Sequence, residues 1–291
     1  MDVLSDAIAV MRTGEPSSNR LRVGGDWCYR FAPYAGAGFH VVLRGTGWLR
    51  GGGEPVQLSP GDAVLLPHGA THVLSATPDD RRAVPFETAV DDPSGPTDLL
   101  CGKYRFDRSR AHFLVEGLPD LVHLPARVGA HRELGAAITL LGGEVNGAHP
   151  GRDAAVAGLL DLLLVYLLRA WFAENPGAGW PKALADPEIA AALDLLHTNP
   201  ARAWRLEDLA DEVGLSRATL ARRFTTLTGR APMAYLAWWR MATAARLLRD
   251  GDRPLPAIAH QVGYGSPYAF SHAFKRHFGV APGQYRLSPA A

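Results

Sequence analysis

The chain has 291 residues, 47% hydrophobic and 20% charged, a composition that fits a soluble globular protein with room for two domains and argues against an intrinsically disordered chain. Its two cysteines, Cys28 and Cys101, are too few for a disulfide scaffold and favour a reducing, cytoplasmic setting. The net charge of +1 conceals a basic C-terminal third, where residues 188–291 hold 13 Lys and Arg against 8 Asp and Glu, so a polyanion-binding surface is expected there.

The N-terminal part is predicted to be a β domain over residues 1–127. After a short amphipathic helix, apolar runs such as "GFHVVLRG" and "DAVLLP" alternate with Gly- and Pro-rich turns. Short strands spaced about 8–12 residues apart are typical of a β-sandwich or barrel. The overall class is therefore α+β multidomain, with the helical parts following the β domain.

Two helices are predicted within residues 128–174, and they are expected to connect the domains or to form a dimer. The run at 154–172 is almost long enough to span a membrane, but it carries Asp161 and Arg169. Charges at mid-span are costly in a bilayer, so a buried or dimer-forming helix is favoured over a membrane span. Residues 175–187, rich in Pro and Gly, are predicted to be an interdomain linker.

Residues 188–291 are predicted to be entirely helical and contain an internal repeat. "LADEVGLSRATLARRFTTLTGRAPMAYL" aligns with "IAHQVGYGSPYAFSHAFKRHFGVAPGQYR". In each copy a Val-Gly pair permits a sharp turn after one helix, and Ser216 or Ser266 is placed to cap the next. The pattern predicts two helix-turn-helix units.

The second helix of each unit is predicted to enter a DNA major groove, the alternative being a plain αα repeat for protein contacts. The open faces carry Arg217, Ala218, Ala221 and Arg222 in the first unit, and Ser266, Tyr268, Ser271, His272 and Lys275 in the second. Arg can grip guanine with two hydrogen bonds, and Lys or Ser can hold phosphate, so double-stranded DNA is the expected partner.

The C-terminal repeat resembles the AraC/XylS family of bacterial transcription regulators, most specifically over 258–286. The resemblance implies reading helices at 217–227 and 267–277, joined by a rigid helix at about 232–249. It also implies a homodimer, with RNA polymerase as a further partner if the protein is an activator. Ala218 and Ala221 depart from the larger polar residues frequent in the family, so the first unit is expected to rely on Arg217 and Arg222.

The stretch "GDAVLLPHGATH" resembles the second sequence motif of cupin β-barrels, in which the position of His72 binds metal. The first motif is incomplete, since its His-x-His pair and Glu are absent, but His40 lies on the same strand face as the missing Glu. With Cys101 on a later strand, His40 and His72 form a candidate zinc site. His68, Cys28 or a water molecule is a candidate fourth ligand.

The competing interpretation of the same domain is an organic effector pocket that includes both histidines and Trp27, Phe39 and Trp48. A third possibility is an oxidant response through Cys101. The expected function is a DNA-binding transcription activator, not an enzyme, gated by a signal at the cupin-like domain. The alternative is a cupin dioxygenase or isomerase fused to a DNA-binding module, against which the incomplete ligand set argues.

Overall fold

The computed structural model of the protein describes residues 2–79, 82–106, 113–127, 130–177 and 179–287. The chain divides into two compact units. Thr13–Phe106 and Leu118–Glu174 form the first, here called the β-rich unit, and the remaining described residues form the second, the helical unit.

The β-rich unit contains two five-stranded sheets, ordered β1-β9-β3-β6-β10 and β5-β4-β7-β2-β8. The strands are β1 (Ser17–Val23), β2 (Cys28–Phe31), β3 (Gly36–Arg44), β4 (Gly47–Arg50), β5 (Val56–Leu58), β6 (Ala63–Leu66), β7 (His72–Ser75), β8 (Val84–Pro85), β9 (Thr97–Arg105) and β10 (Val122–Leu124). Each sheet keeps two edge strands within the described part of the chain, so the predicted barrel is an open pair of sheets.

The hydrophobic core of this unit lies between the two sheets. Val42, Val64 and Leu99 of one sheet pack in the same cluster as Leu49 and Leu74 of the other. All five are almost completely buried. Every second residue of a strand faces the same side of its sheet, so the apolar residues at alternate positions meet between the two sheets.

Two helices complete the β-rich unit, α3 (Arg132–Asn146) and α4 (Arg152–Glu174). The Tyr104 hydroxyl of β9 donates to the Leu160 carbonyl of α4 at 2.6 Å, which ties the helix to the sheet. By length and composition α4 is also apolar enough to cross a membrane, and 33% of its most apolar window is buried. The two helices predicted within residues 128–174 are confirmed.

The helical unit contains α1 (Val3–Met11), α2 (Phe113–Glu116), α5 (Gly179–Ala185), α6 (Pro187–Thr198), α7 (Leu206–Glu212), α8 (Arg217–Thr228), α9 (Pro232–Arg249), α10 (Leu255–Gln261), α11 (Pro267–Phe278) and α12 (Pro282–Leu287). Helices α7 and α8 form one helix-turn-helix, α10 and α11 form the other, and α9 joins them. The predicted repeat is confirmed.

Local signals define both helix-turn-helix units. Gly214 and Gly263 have φ of 69° and 80°, a left-handed conformation that lets the first helix of each pair stop abruptly. The side chain of Ser216 accepts from the Thr219 backbone N–H, and Ser266 caps α11 in the same way. Because the caps and the turn glycine recur, the two units begin and end alike.

Three segments belong to the helical unit although the predicted domain boundaries place them outside the helical domain. Helices α1 and α2 fall within the predicted β domain at 1–127 but belong to the helical unit. The predicted linker at 175–187 contains α5, where Trp180 is buried and its ring lies 6.0 Å from that of Tyr235. Apolar burial overrides the Pro and Gly content of this segment. The predicted boundary after residue 127 adjoins 128–129, which lie outside the described residues.

Candidate functional site

The outer face of α8 carries the residues predicted to read DNA in the first helix-turn-helix. Arg217, Ala218 and Arg222 are exposed, and Ala221 is half-buried. Leu220 and Phe224, at 0% exposure, anchor the opposite face in the core. The Arg217 guanidinium donates to the Glu207 carboxylate of α7 at 2.7 Å, an exposed ion pair that orients the arginine at the start of the helix.

The outer face of α11 is the equivalent surface of the second helix-turn-helix. Tyr268 is 83% exposed, His272 and Lys275 are exposed, and Ser271 is half-buried. Ser266 is exposed too, and its oxygen accepts the Ala269 N–H at 3.2 Å as the helix cap. Two matching helices thus present polar and basic side chains away from an apolar core, as a groove-reading surface requires.

The β-rich unit brings together the two histidines predicted to share a site. His40 lies on β3 of one sheet and His72 on β7 of the other, and their Nε2 atoms are 2.7 Å apart. Phe31 of β2 stacks on His72 with a centroid distance of 4.6 Å, and its edge contacts His40 at 4.8 Å. The two histidine rings therefore bridge the two sheets, and Phe31 packs against both of them.

Both histidines are held in the neutral form. Burial lowers the pKa of His40 well below its usual value, and the neighbouring His72 lowers it further. Burial also lowers the pKa of His72, against the opposing effect of its hydrogen bond to the Ala70 carbonyl. A positive charge on either ring is unfavourable because both rings are desolvated.

Cys101 lies beside this pair, whereas the two other candidate ligands do not. Cys101 is directly opposite His40 in the β3–β9 ladder and lines the same cavity. Burial raises the pKa of its thiol to about 12. Cys28 instead contacts the Asp79 carbonyl at 3.9 Å, and His68 Nε2 donates to the Leu118 carbonyl at 3.0 Å.

The two facing Nε2 atoms lie closer together than two nitrogen ligands of one zinc ion. Two nitrogens bound to one zinc at about 2.0–2.1 Å are separated by roughly 3.3 Å, whereas the facing Nε2 atoms are 2.7 Å apart and share a hydrogen bond. No group of three His, Cys, Asp or Glu residues suited to a metal ion occurs within the described ranges. Zinc binding by His40, His72 and Cys101 stays a prediction.

A cavity of about 280 Å³ lies against the histidine pair. Its lining includes the aromatic residues Phe31, Tyr34 and Phe86, and the opposite charges Glu87 and Lys103. Phe86 stacks on Phe31 with a centroid distance of 4.3 Å, which extends the aromatic wall from His72. A concave, mainly apolar site with a few polar groups suits a small molecule.

The aromatic residues predicted to line this pocket, Trp27, Phe39 and Trp48, do not line it. Phe39 precedes His40 on β3, so strand alternation turns it to the other face, where it packs on Tyr104. Trp27 belongs to the core cluster, and Trp48 lies half-buried on β4. Because adjacent strand residues face opposite sides, the sequence alone already shows that Phe39 and His40 cannot both line the pocket.

Sequence reasoning missed several lining residues, among them Phe31, which lies directly opposite His72 in the β2–β7 ladder. The run "WCYRFA" signals a strand, but it does not reveal that this strand pairs with the one carrying His72. Only the sheet order brings the two rings together.

Comparison with known proteins identifies two matching family models. One, described as Cupin, matches residues 2–173, and the other, described as Helix-turn-helix domain, matches residues 209–288. An AraC-like transcription regulator of Streptomyces lividans is 38% identical over 99% of each chain. The RCS-specific HTH-type transcriptional activator RclR of Escherichia coli (strain K12) is 32% identical, over 98% of this chain and 97% of that one.

Among solved structures, the DNA-binding domain of AdpA in complex with a target DNA is similar to this chain. It is 35% identical, with coverage of 35% of this chain and 90% of that chain, and the TM-score is 0.33.

Proposed function

Because the chain belongs to the family of AraC-like transcription regulators, with a cupin domain before its helix-turn-helix domain, we propose that it activates transcription in response to a small organic effector. It is a DNA-binding regulator and not an enzyme. The observation that carries the DNA-binding part of the proposal is the pair of matched helices, α8 and α11, whose polar faces are exposed while their apolar faces are buried.

DNA binding is tested by a gel shift on the DNA immediately upstream of the protein's own gene and of neighbouring genes. We expect a sequence-specific complex that Arg222→Ala weakens, since an arginine on the reading face can grip a base. Absence of a specific complex on every fragment, with and without effector candidates, would contradict the proposal.

The activator role draws support from the relative named as a transcriptional activator, which matches nearly the whole chain. An activator that binds beside a promoter acts through RNA polymerase, and this takes place in the cytoplasm. Transcription in vitro with purified RNA polymerase is expected to rise when the protein and its effector are added. A fall in transcript would identify a repressor instead.

The effector proposal depends on the cavity beside His40 and His72. Its aromatic walls and balanced charges favour an organic molecule over a metal ion, and the two Nε2 atoms bond to each other at 2.7 Å. Elemental analysis of the purified protein separates the two alternatives. Stoichiometric zinc that His40→Leu and His72→Leu both abolish would favour the metal site.

An oxidant response through Cys101 is less favoured by the geometry. The thiol is buried, and its raised pKa keeps it protonated, whereas oxidation proceeds through the thiolate. We expect Cys101→Ser to leave both the zinc content and the oxidant response of a reporter gene unchanged. Loss of that response would restore the oxidant hypothesis.

We further expect a homodimer formed through the helices of the β-rich unit. Leu140 of α3 is 59% exposed and Leu162 of α4 is 46% exposed, and a dimer contact through these helices would bury both side chains. Sedimentation equilibrium is expected to give a dimer, and the double variant Leu140→Glu, Leu162→Glu a monomer. A dimer that survives both substitutions would exclude this face.

A further inference from the structure

The outer face of α8 presents mainly methyl groups. Ala218 is exposed and Ala221 is half-buried, and both belong to this face. Thr225 follows Ala221 by one helical turn, is exposed, and donates its hydroxyl hydrogen to the Ala221 carbonyl at 2.7 Å. Because that hydroxyl is bonded to the backbone of its own helix, the side chains of the three residues together offer apolar surface.

The arginines of α8 differ in how far they are engaged by the protein itself. The Arg217 guanidinium donates to Glu207 of α7 at 2.7 Å. Arg223 donates to the Asp186 carboxylate at the start of α6. Arg222 is exposed, and no described carboxylate holds it. It therefore adds one guanidinium, able to bond to guanine, to the methyl surface of the helix.

The equivalent face of α11 differs, although the two helix-turn-helix units align at their serine caps. The three corresponding positions carry a phenol, a hydroxyl and an ammonium group, on Tyr268, Ser271 and Lys275. Such groups bond to base edges and phosphates. The two reading helices thus present different chemistry to the DNA.

Methyl groups on a reading helix suit one base in particular. In the major groove thymine alone among the four bases carries a methyl group, and the methyl groups of alanine and threonine make apolar contact with it. A base edge that has only donors and acceptors would lose water against this surface without gaining a hydrogen bond, which is unfavourable. The surface of α8 is therefore complementary to thymine.

We propose that α8 recognises thymine through its 5-methyl group, which contacts Ala218, Ala221 and Thr225, while Arg222 bonds to a neighbouring guanine. The polar side chains of α11 read a second major-groove segment without this dependence on methyl groups. This role rests on the DNA binding proposed for α8 and adds the base that the helix selects. Removal of the methyl groups from the DNA is expected to weaken binding although every hydrogen-bonding group of the base pairs is kept.

The test is a gel shift of the full-length protein on the upstream fragment that it binds most tightly, prepared with thymine, with uracil or with 5-bromouracil. Uracil lacks only the methyl group, and bromine restores a group of similar size at the same position. Burial of one methyl group contributes about fourfold in affinity, so loss of two contacts should weaken binding to the uracil fragment roughly tenfold. The 5-bromouracil fragment should bind within about twofold of the thymine fragment, because the contact surface is restored.

Matched variants locate the contact on α8. The double variant Ala218→Ser, Ala221→Ser is expected to bind the thymine and uracil fragments equally, because hydroxyl groups replace the methyl contacts. Ala191→Ser makes the same change at an exposed position of α6 and should keep the wild-type preference for thymine. Replacement of single thymines by uracil should identify sensitive positions in one major-groove segment.

The wild-type measurements need no variant and decide the proposal by themselves. Equal binding of the thymine and uracil fragments would overturn methyl recognition while DNA binding stands. A thymine preference that the double variant keeps, or sensitive positions in both segments, would overturn the role of α8. Absence of a complex on all three forms would overturn the DNA binding itself.

Discussion

Asp6 provides the sharpest stability test, because it lies on the N-terminal helix and yet is buried in the helical unit. Its carboxylate accepts a hydrogen bond from His197 Nδ1 at 3.1 Å, and the Tyr235 hydroxyl donates to the other nitrogen of the same ring at 2.7 Å. The His197 side chain is 0% exposed and its ring stacks on Trp239 with a centroid distance of 3.9 Å. The network therefore fastens α1 to α6 and α9.

Replacing Asp6 with Ala leaves the His197 Nδ1–H buried without an acceptor. An unpaired buried donor costs about 1–3 kcal/mol, and loss of one partner from a buried charged pair costs about 3–5 kcal/mol. Burial lowers the pKa of His197 and keeps the ring neutral, so the smaller range applies. We expect a loss of about 2 kcal/mol, which corresponds to a fall in melting temperature of roughly 6 °C.

Differential scanning calorimetry of the full-length protein at pH 7.5 measures this change. Asp211→Asn is the matched control, since Asp211 is an exposed carboxylate of the same helical unit, and its removal should change stability by less than about 0.5 kcal/mol. If Asp6→Ala melts within about 1 °C of the wild type, the buried network does not stabilise the helical unit and the reasoning is refuted.

Three further outcomes are expected. Burial lowers the pKa of His197 below its ordinary 6.5, so the unfolded chain binds a proton at a higher pH than the folded chain does. Calorimetry should therefore show stability falling as the pH drops below about 6.5. A flat profile would contradict this. Arg222→Ala should weaken DNA binding roughly ten- to hundredfold in a gel shift, whereas Arg132→Ala, an exposed change in the β-rich unit, should not. Phe274→Ala should cost about 3–5 kcal/mol in urea unfolding because its ring is 0% exposed, and Tyr268→Ala, 83% exposed, should be neutral for stability.

The helix-turn-helix repeat was predictable from the sequence because its determinants are local. A glycine that adopts positive φ, a serine that caps the next turn, and a phenylalanine spaced to face inward each act within a few residues. Gly214, Ser216 and Phe224 have those roles, and their counterparts repeat them in the second unit. Such signals need no knowledge of the remainder of the chain.

The β-rich unit was predictable only in part. Apolar runs such as "GFHVVLRG" and "DAVLLP" contain strands, but the polar β1 was not predicted. Edge strand β1 is stabilised by seven residue pairs with β9, so its own sequence gives little indication that it forms a strand. Alternation places His40 on the inner face of β3, but it does not say which strand of the second sheet will lie opposite.

What the sequence by itself determined is therefore the fold class, the repeat and the face on which each candidate residue lies, since these follow from periodicity and turn chemistry. Only the tertiary structure decided that His40 meets His72 across two sheets, and that Asp6 bonds to a histidine 191 residues away. The physical reason is that contacts between distant segments depend on how whole elements pack. A local pattern determines the direction of a side chain but not its partner.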